Sequence, residues 1–177
     1  IDILVNNAGI IGPADFMKDA DSENWEKTIN INLNGAYFCC RAVIADMAAK
    51  KSGKIINITS GLGERPFPRF CAYGVSKAGL IQMTRLLSEE LKEHNIQVNA
   101  INPGVMDTSM QTEIRGMDIS STGQEVYDRF HGLYENKELQ APAELSPLAV
   151  FLASSSSDHL TGHNLRPVEY RELGWEG

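Results

Sequence analysis

The chain has 177 residues, 42% of them hydrophobic and 22% charged, with a formal net charge of −7. That is enough chain for one domain with a sizeable core, and the acidic balance argues against nucleic acid or an anionic membrane as a partner. No apolar run reaches the ~20 residues of a bilayer span, and an odd number of cysteines, with Cys39 and Cys40 adjacent, suits reduced thiols in a cytoplasmic protein.

In chain order, residues 1–7 read as a parallel strand buried on both faces, because the apolar run does not alternate. The chain opens inside that strand and without a methionine, so further residues are expected upstream. After a loop broken by Gly12 and Pro13, a helix is predicted over 22–51, with Ser22 as N-cap. Its apolar stripe runs through Leu33, Ala36, Tyr37, Cys40, Val43, Ile44 and Met47. Asn32 and Gly35 are poor helix formers in the middle of it. Either Asn32 faces solvent, or the helix is perturbed to aim a polar group at a site.

Residues 54–59 form a second short strand, 60–69 a loop rich in Gly and Pro, and 70–93 a second long helix. A third strand over 96–101 closes on Asn102-Pro103-Gly104. Strands joined by such helices make βαβ units and a parallel sheet. Residues 105–140 are polar and irregular, with short helices expected near 108–115 and 123–134, and read as a lid. A helix over 141–154 and a strand over 163–168 follow, with Pro167 tolerable on an edge strand. No structure is assigned to the polar tail. His94, His131, His159 and His163 show no ligand spacing, and no metal site is expected.

The chemistry gathers at the predicted carboxyl ends of the strands, where open parallel sheets keep their sites. Asn6-Asn7-Ala8-Gly9 ends the first strand, Ser60 the second, and Pro103 to Thr108 follow the third. Tyr73 and Lys77, four residues apart near the start of the second long helix, share one of its faces. A phenol with a pKa of about 10 is a poor acid–base group at neutral pH unless a nearby ammonium favours the phenolate. Phe67, Phe70 and Tyr134 either line a substrate pocket or form a satellite core.

These residues together make the chain resemble the short-chain dehydrogenase/reductase family. Asn6 to Gly9 match its NNAG, and Asn32 its catalytic asparagine. Ser60, Tyr73 and Lys77 match its serine and YxxxK pair, Asn102-Pro103-Gly104 with Thr108 its NPGxxxT, and Thr161-Gly162 its late TG. The resemblance implies a doubly wound, Rossmann-like, three-layer α/β sheet, of which this chain is the C-terminal two-thirds. The family's opening TGxxxGxG turn has no counterpart among the 177 residues, so the phosphate-binding portion is expected upstream.

The resemblance further implies hydride transfer between NAD or NADP and an alcohol or carbonyl. Asn32, Ser60, Tyr73 and Lys77 would be catalytic. Tyr73 would exchange the proton, Ser60 would hold the reacting oxygen, and Lys77 would lower the Tyr73 pKa and bind the nicotinamide ribose. Asn32 would hold a relay water. Asn7, Ala8, Gly9, Pro103, Gly104, Val105 and Thr108 would line the cofactor, and the long helices would pair in a homodimer or homotetramer. The alternative is a truncated, non-catalytic member serving as a binding or assembly module. Neither 61–70 nor 105–140 carries a charge constellation that selects among sugar alcohols, hydroxysteroids, 3-oxoacyl thioesters and small ketones.

Overall fold

The computed structural model describes residues 1–176. Four parallel strands, β1 (Ile3–Asn6), β2 (Gly53–Ile58), β3 (Ile96–Ile101) and β4 (Asn164–Leu165), pair in the order β1-β2-β3-β4. Side chains alternate between the two faces of a strand. Ile55 and Val98 therefore pack with Cys40, Val43 and Met47 on one side. Ile56 and Ile101 pack with Leu148 and Leu152 on the other. The result is a helix–sheet–helix sandwich. The first layer holds α2 (Gly35–Lys50) and α3 (Cys71–Glu90), and the second holds α7 (Ser146–Ala153).

The expected single helix over 22–51 is α1 (Ser22–Ile29), a π-helical turn at Asn30–Asn34, and α2, without a break in direction of hydrogen bonding between them. Asp21 rather than Ser22 caps it, its carboxylate accepting from Asn24 N at 3.1 Å. The segment from 105 to 140 contains α4 (Ser109–Arg115), α5 (Ile119–Thr122) and α6 (Gln124–Glu135). Its two ends are stitched together: Asp107 N donates to Gln140 O at 2.8 Å and Gln140 N to Val105 O at 3.3 Å. Ile114, Val126 and Phe130 from this segment pack on Ile11, Phe70 and Tyr73, forming an apolar roof over the sheet end. Arg69, in the left-handed region at φ 75°, lies 4.1 Å over the Phe16 ring and donates to Ser121 O.

Two expectations fail. The first strand is not covered on both faces by the described residues: Leu4 packs inward while Ile3 and Val5 stand about half exposed. An apolar run without alternation reads the same whether its second face is covered or bare. The last strand is also shorter than expected. Pro167 opens helix α8 (Pro167–Arg171) instead of continuing β4. Proline suits a first helical position because its missing N–H would be unpaired there anyway. Glu169 reaches back to accept from Arg166 N at 2.8 Å. The tail then belongs to the core, with Tyr170 fully buried and Trp175 nearly so. Among the described residues, no helix is long and apolar enough to cross a membrane.

Candidate active site

The site lies at the carboxyl ends of β1, β2 and β3, and it begins with the π-helical turn. An extra residue in a helical turn rotates side chains off the ordinary stripe, a device frequent at functional positions. Here it turns Asn32 inward, where it is 1% exposed. Its Oδ1 accepts from Ile10 N at 2.8 Å, and its Nδ2 donates to Ile10 O at 2.9 Å and Ser76 Oγ at 3.1 Å. One carboxamide thus locks the loop after β1 onto α3. Solvent exposure, the blander expectation for Asn32, is excluded.

Tyr73 and Lys77 lie one turn apart on α3, both buried. Lys77 Nζ donates to Ile58 O at 2.8 Å and stands 5.6 Å from the centre of the Tyr73 ring. Ser60 follows β2 by two residues, and its hydroxyl caps the 3₁₀ turn at Gly61–Gly63 by accepting from Leu62 N at 3.2 Å. That turn packs directly on α3: a Cβ on Gly63 would stand 2.8 Å from the Lys77 carbonyl carbon, which only glycine avoids. Below the site, Asn6 Nδ2 donates to Asn57 Oδ1 and Asn57 Nδ2 to Thr84 Oγ1, each at 2.8 Å, tying β1, β2 and α3 through the interior.

Ser60, Tyr73 and Lys77 open on one cleft of about 390 Å³. Asn7, Gly9, Pro103, Gly104, Val105 and Thr108 are on its wall as well. Gly9 borders the lysine closely, since a Cβ there would stand 3.5 Å from Lys77 Nζ and 3.5 Å from Asn32 Oδ1. Gly104, at φ 75°, turns the chain away after β3 with nothing within 4 Å of where a Cβ would be. Thr108 takes the N-cap position of α4, yet its side chain makes no capping hydrogen bond and faces the cleft. These open backbone surfaces, with a lysine that has spent one N–H on Ile58, fit a flat, hydroxyl-bearing cofactor fragment.

Burial pushes the Tyr73 phenol above its ordinary value, and the hydrogen bond with Ser60 opposes this only in part. Burial also lowers Lys77, to about 8. The Lys77 ammonium is engaged with the Ile58 carbonyl.

Two of the expected site residues stand off the wall of the cleft. Ala8 is exposed beside it, and Asn32 sits behind Gly9 with its carboxamide fully engaged. Phe70 is core, with Phe67 stacked on it at 5.7 Å, and Tyr134 is exposed under Arg115. The satellite-core reading holds for Phe67 and Phe70 but not for Tyr134, while Phe130 supplies the aromatic wall. Sequence reasoning also missed Ser76, Gln111 and Arg129. Ser76 and Gln111 carry no motif, and Arg129 looks in sequence like any exposed helical arginine.

A family model for short chain dehydrogenases matches residues 1–118. The 3-oxoacyl-[acyl-carrier-protein] reductase FabG of Chlamydia trachomatis is 36% identical over 174 residues, aligning 93% of this chain with 63% of that protein. The structure of an NAD+-bound xylitol dehydrogenase superposes with a TM-score of 0.81 at 30% identity, covering 94% of this chain and 67% of that one. The structure of ElxO with NADP bound gives a TM-score of 0.78 at 30% identity, covering 93% and 64%. The chain thus spans about two-thirds of the length of the proteins it is similar to.

Proposed function

The chain belongs to the short-chain dehydrogenase family, and on that premise we propose that it carries the proton-transfer half of an oxidoreductase working between NAD or NADP and an alcohol or carbonyl substrate. The observation that carries this reading is the convergence of Ser60, Tyr73 and Lys77 on one cleft beside the open backbone of Gly9 and Gly104. The cofactor, when bound, supplies the hydride. Asn7, Gly9, Pro103, Gly104, Val105 and Thr108 would hold it, and Lys77 would take ribose hydroxyls with the N–H groups that Ile58 leaves free.

The protein's own work is to place and move a proton. Tyr73 donates its phenolic proton to the carbonyl oxygen in reduction and takes it back in oxidation. A phenol held above its ordinary value is protonated at neutral pH, so it stands ready as the acid of the reductive direction. Ser60 hydrogen-bonds the same oxygen and stabilises the alkoxide character that develops on it. Lys77, with a value near 8, is mostly protonated at neutral pH and stabilises the phenolate once the proton has left. Asn32 acts as a positioning residue through Ile10 and Ser76, holding the loop after β1 against the helix that carries Tyr73.

We further read the segment from 105 to 140 as the substrate lid, supported by its roof over Tyr73. The outward faces of α2 and α3 are read as a homo-oligomeric interface, since Tyr37, Phe38, Val75 and Leu86 stand exposed there. The cytoplasm, where reduced thiols persist, is the compartment that suits its three free cysteines.

The test is oxidation and reduction assays with NAD(H) and NADP(H) on the natural full-length protein, with Tyr73→Phe beside it. Turnover should fall at least about a hundredfold in the variant, with cofactor affinity nearly unchanged. Retained turnover would remove Tyr73 from the mechanism. If the natural protein neither binds the cofactors nor turns over, the assembly-module alternative stands.

A further inference from the structure

We propose that the substrate is an oxo or hydroxy carboxylic acid, recognised through Arg129, which takes its carboxylate, and Gln111, which takes a hydroxyl. The proposal rests on the oxidoreductase reading above and names its substrate class.

The first observation is the charge of the wall. In a chain of net charge −7, no carboxylate lines the cleft, while Lys77 and Arg129 both do. Lys77 is engaged beside Tyr73 and Gly9. Arg129 has no ion pair among the described residues. Its guanidinium is held instead over the Phe67 ring, 5.1 Å from the centroid. That contact restrains the fork without satisfying its charge, so little ordering remains when an oxyanion arrives.

The second observation is independent. Gln111, on α4, is 8% exposed and lines the same cleft, and its Oε1 is buried with no hydrogen-bond partner. An unmet buried acceptor costs about 1–3 kcal/mol, and a carboxamide turned towards the cleft would take a donor from a ligand there. A substrate hydroxyl is such a donor. The surrounding wall of Ile11, Leu62, Met110, Ile114 and Phe130 is apolar, which strengthens any charged contact made beside it. A plain ketone would offer a partner neither to Arg129, which is exposed to solvent, nor to Gln111. Arg129 is the one charged residue that the segment from 105 to 140 places on the cleft wall, and on this proposal it selects the class.

The experiment uses the natural full-length protein and matched pairs: D-gluconate against D-glucitol, and 3-hydroxybutyrate against 2-butanol, each with NAD+ and NADP+. Each acid should exceed its neutral partner in kcat/KM by about tenfold or more, the size of one charge-assisted hydrogen bond. Arg129→Leu should erase that ratio through KM while leaving the neutral partners and cofactor affinity within about twofold. Gln111→Leu should weaken gluconate more than 3-hydroxybutyrate, which offers no second hydroxyl. Gln111→Glu should repel both acids.

Equal use of acids and neutral partners, or an unchanged ratio in Arg129→Leu, overturns the proposal. So does a loss in Arg129→Leu confined to cofactor affinity, which would assign the guanidinium to a cofactor phosphate. If the protein turns over nothing, the oxidoreductase reading fails by itself. Calorimetric titration with D-gluconate and D-glucitol then decides the recognition claim, and equal or absent binding of the two sinks it.

Discussion

Each side chain at the centre of the site is held in a state that it would not choose in water. Lys77 titrates near 8 instead of 10.5 because burial disfavours its ammonium. Between those values the unfolded chain binds more protons than the folded one, so this group makes stability rise with pH across that window. Below about pH 8 the full penalty is present. Lys77→Met should therefore be more stable than the parent at pH 7 by about 1–2 kcal/mol in urea denaturation, with the advantage shrinking towards pH 10.5. An advantage that does not change with pH would mean that desolvation of the ammonium is not its source. Asn32 is held in the opposite sense, by full satisfaction. Asn32→Ala should cost about 2–4 kcal/mol, because it strands the buried groups of Ile10 and frees the loop before the cleft. A cost under about 0.5 kcal/mol in the same denaturation would show that water replaces the carboxamide. At this scale the sequence was legible where chemistry needs a fixed spacing, as with Tyr73 and Lys77. It was silent on Ser76, Gln111 and Arg129, whose roles come from neighbours dozens of residues away.

Whole elements were read well where periodicity or punctuation is strong. The strand over 96–101 matches β3 to the residue, and Gly53 starts β2 one residue earlier than expected. Poor helix formers at Asn32 and Gly35 marked a perturbed helix, and the perturbation is a π-helical turn. What failed is instructive in physical terms. The stretch from 163 to 168 was expected as a strand, but Pro167 fits a helix start as well as an edge, and the choice is made by Tyr170. Its hydroxyl donates to Ala100 O at 2.7 Å from full burial, a long-range contact that local pattern cannot encode. Burial accordingly pushes that phenol well above its ordinary range. Tyr170→Phe should cost about 1 kcal/mol by removing a buried hydrogen bond to a β3 carbonyl, read as a lowered urea midpoint with the same slope. No shift in midpoint would place the anchoring in ring packing alone.

Across the molecule, the sheet and the segment from 105 to 140 divide the labour. The groups proposed to handle the proton are on or next to strands and α3, braced by the Asn6–Asn57–Thr84 chain of hydrogen bonds. Groups assigned to recognition, Gln111 and Arg129, are on α4 and α6 of the overlying segment. The parallel order of the strands was legible because each βαβ unit announces itself, whereas the bare outer face of β1 was not, since covered and uncovered apolar runs look alike. The two hydrogen bonds that join Val105 and Asp107 to Gln140 bring the ends of that 36-residue stretch side by side before it departs over the cleft. A segment closed at its own base behaves as a cassette. On the proposed reading, its outward positions could be recoded or exchanged between proteins while the strands and α3 that carry Ser60, Tyr73 and Lys77 stay in place, so that substrate preference would evolve with the chemistry fixed.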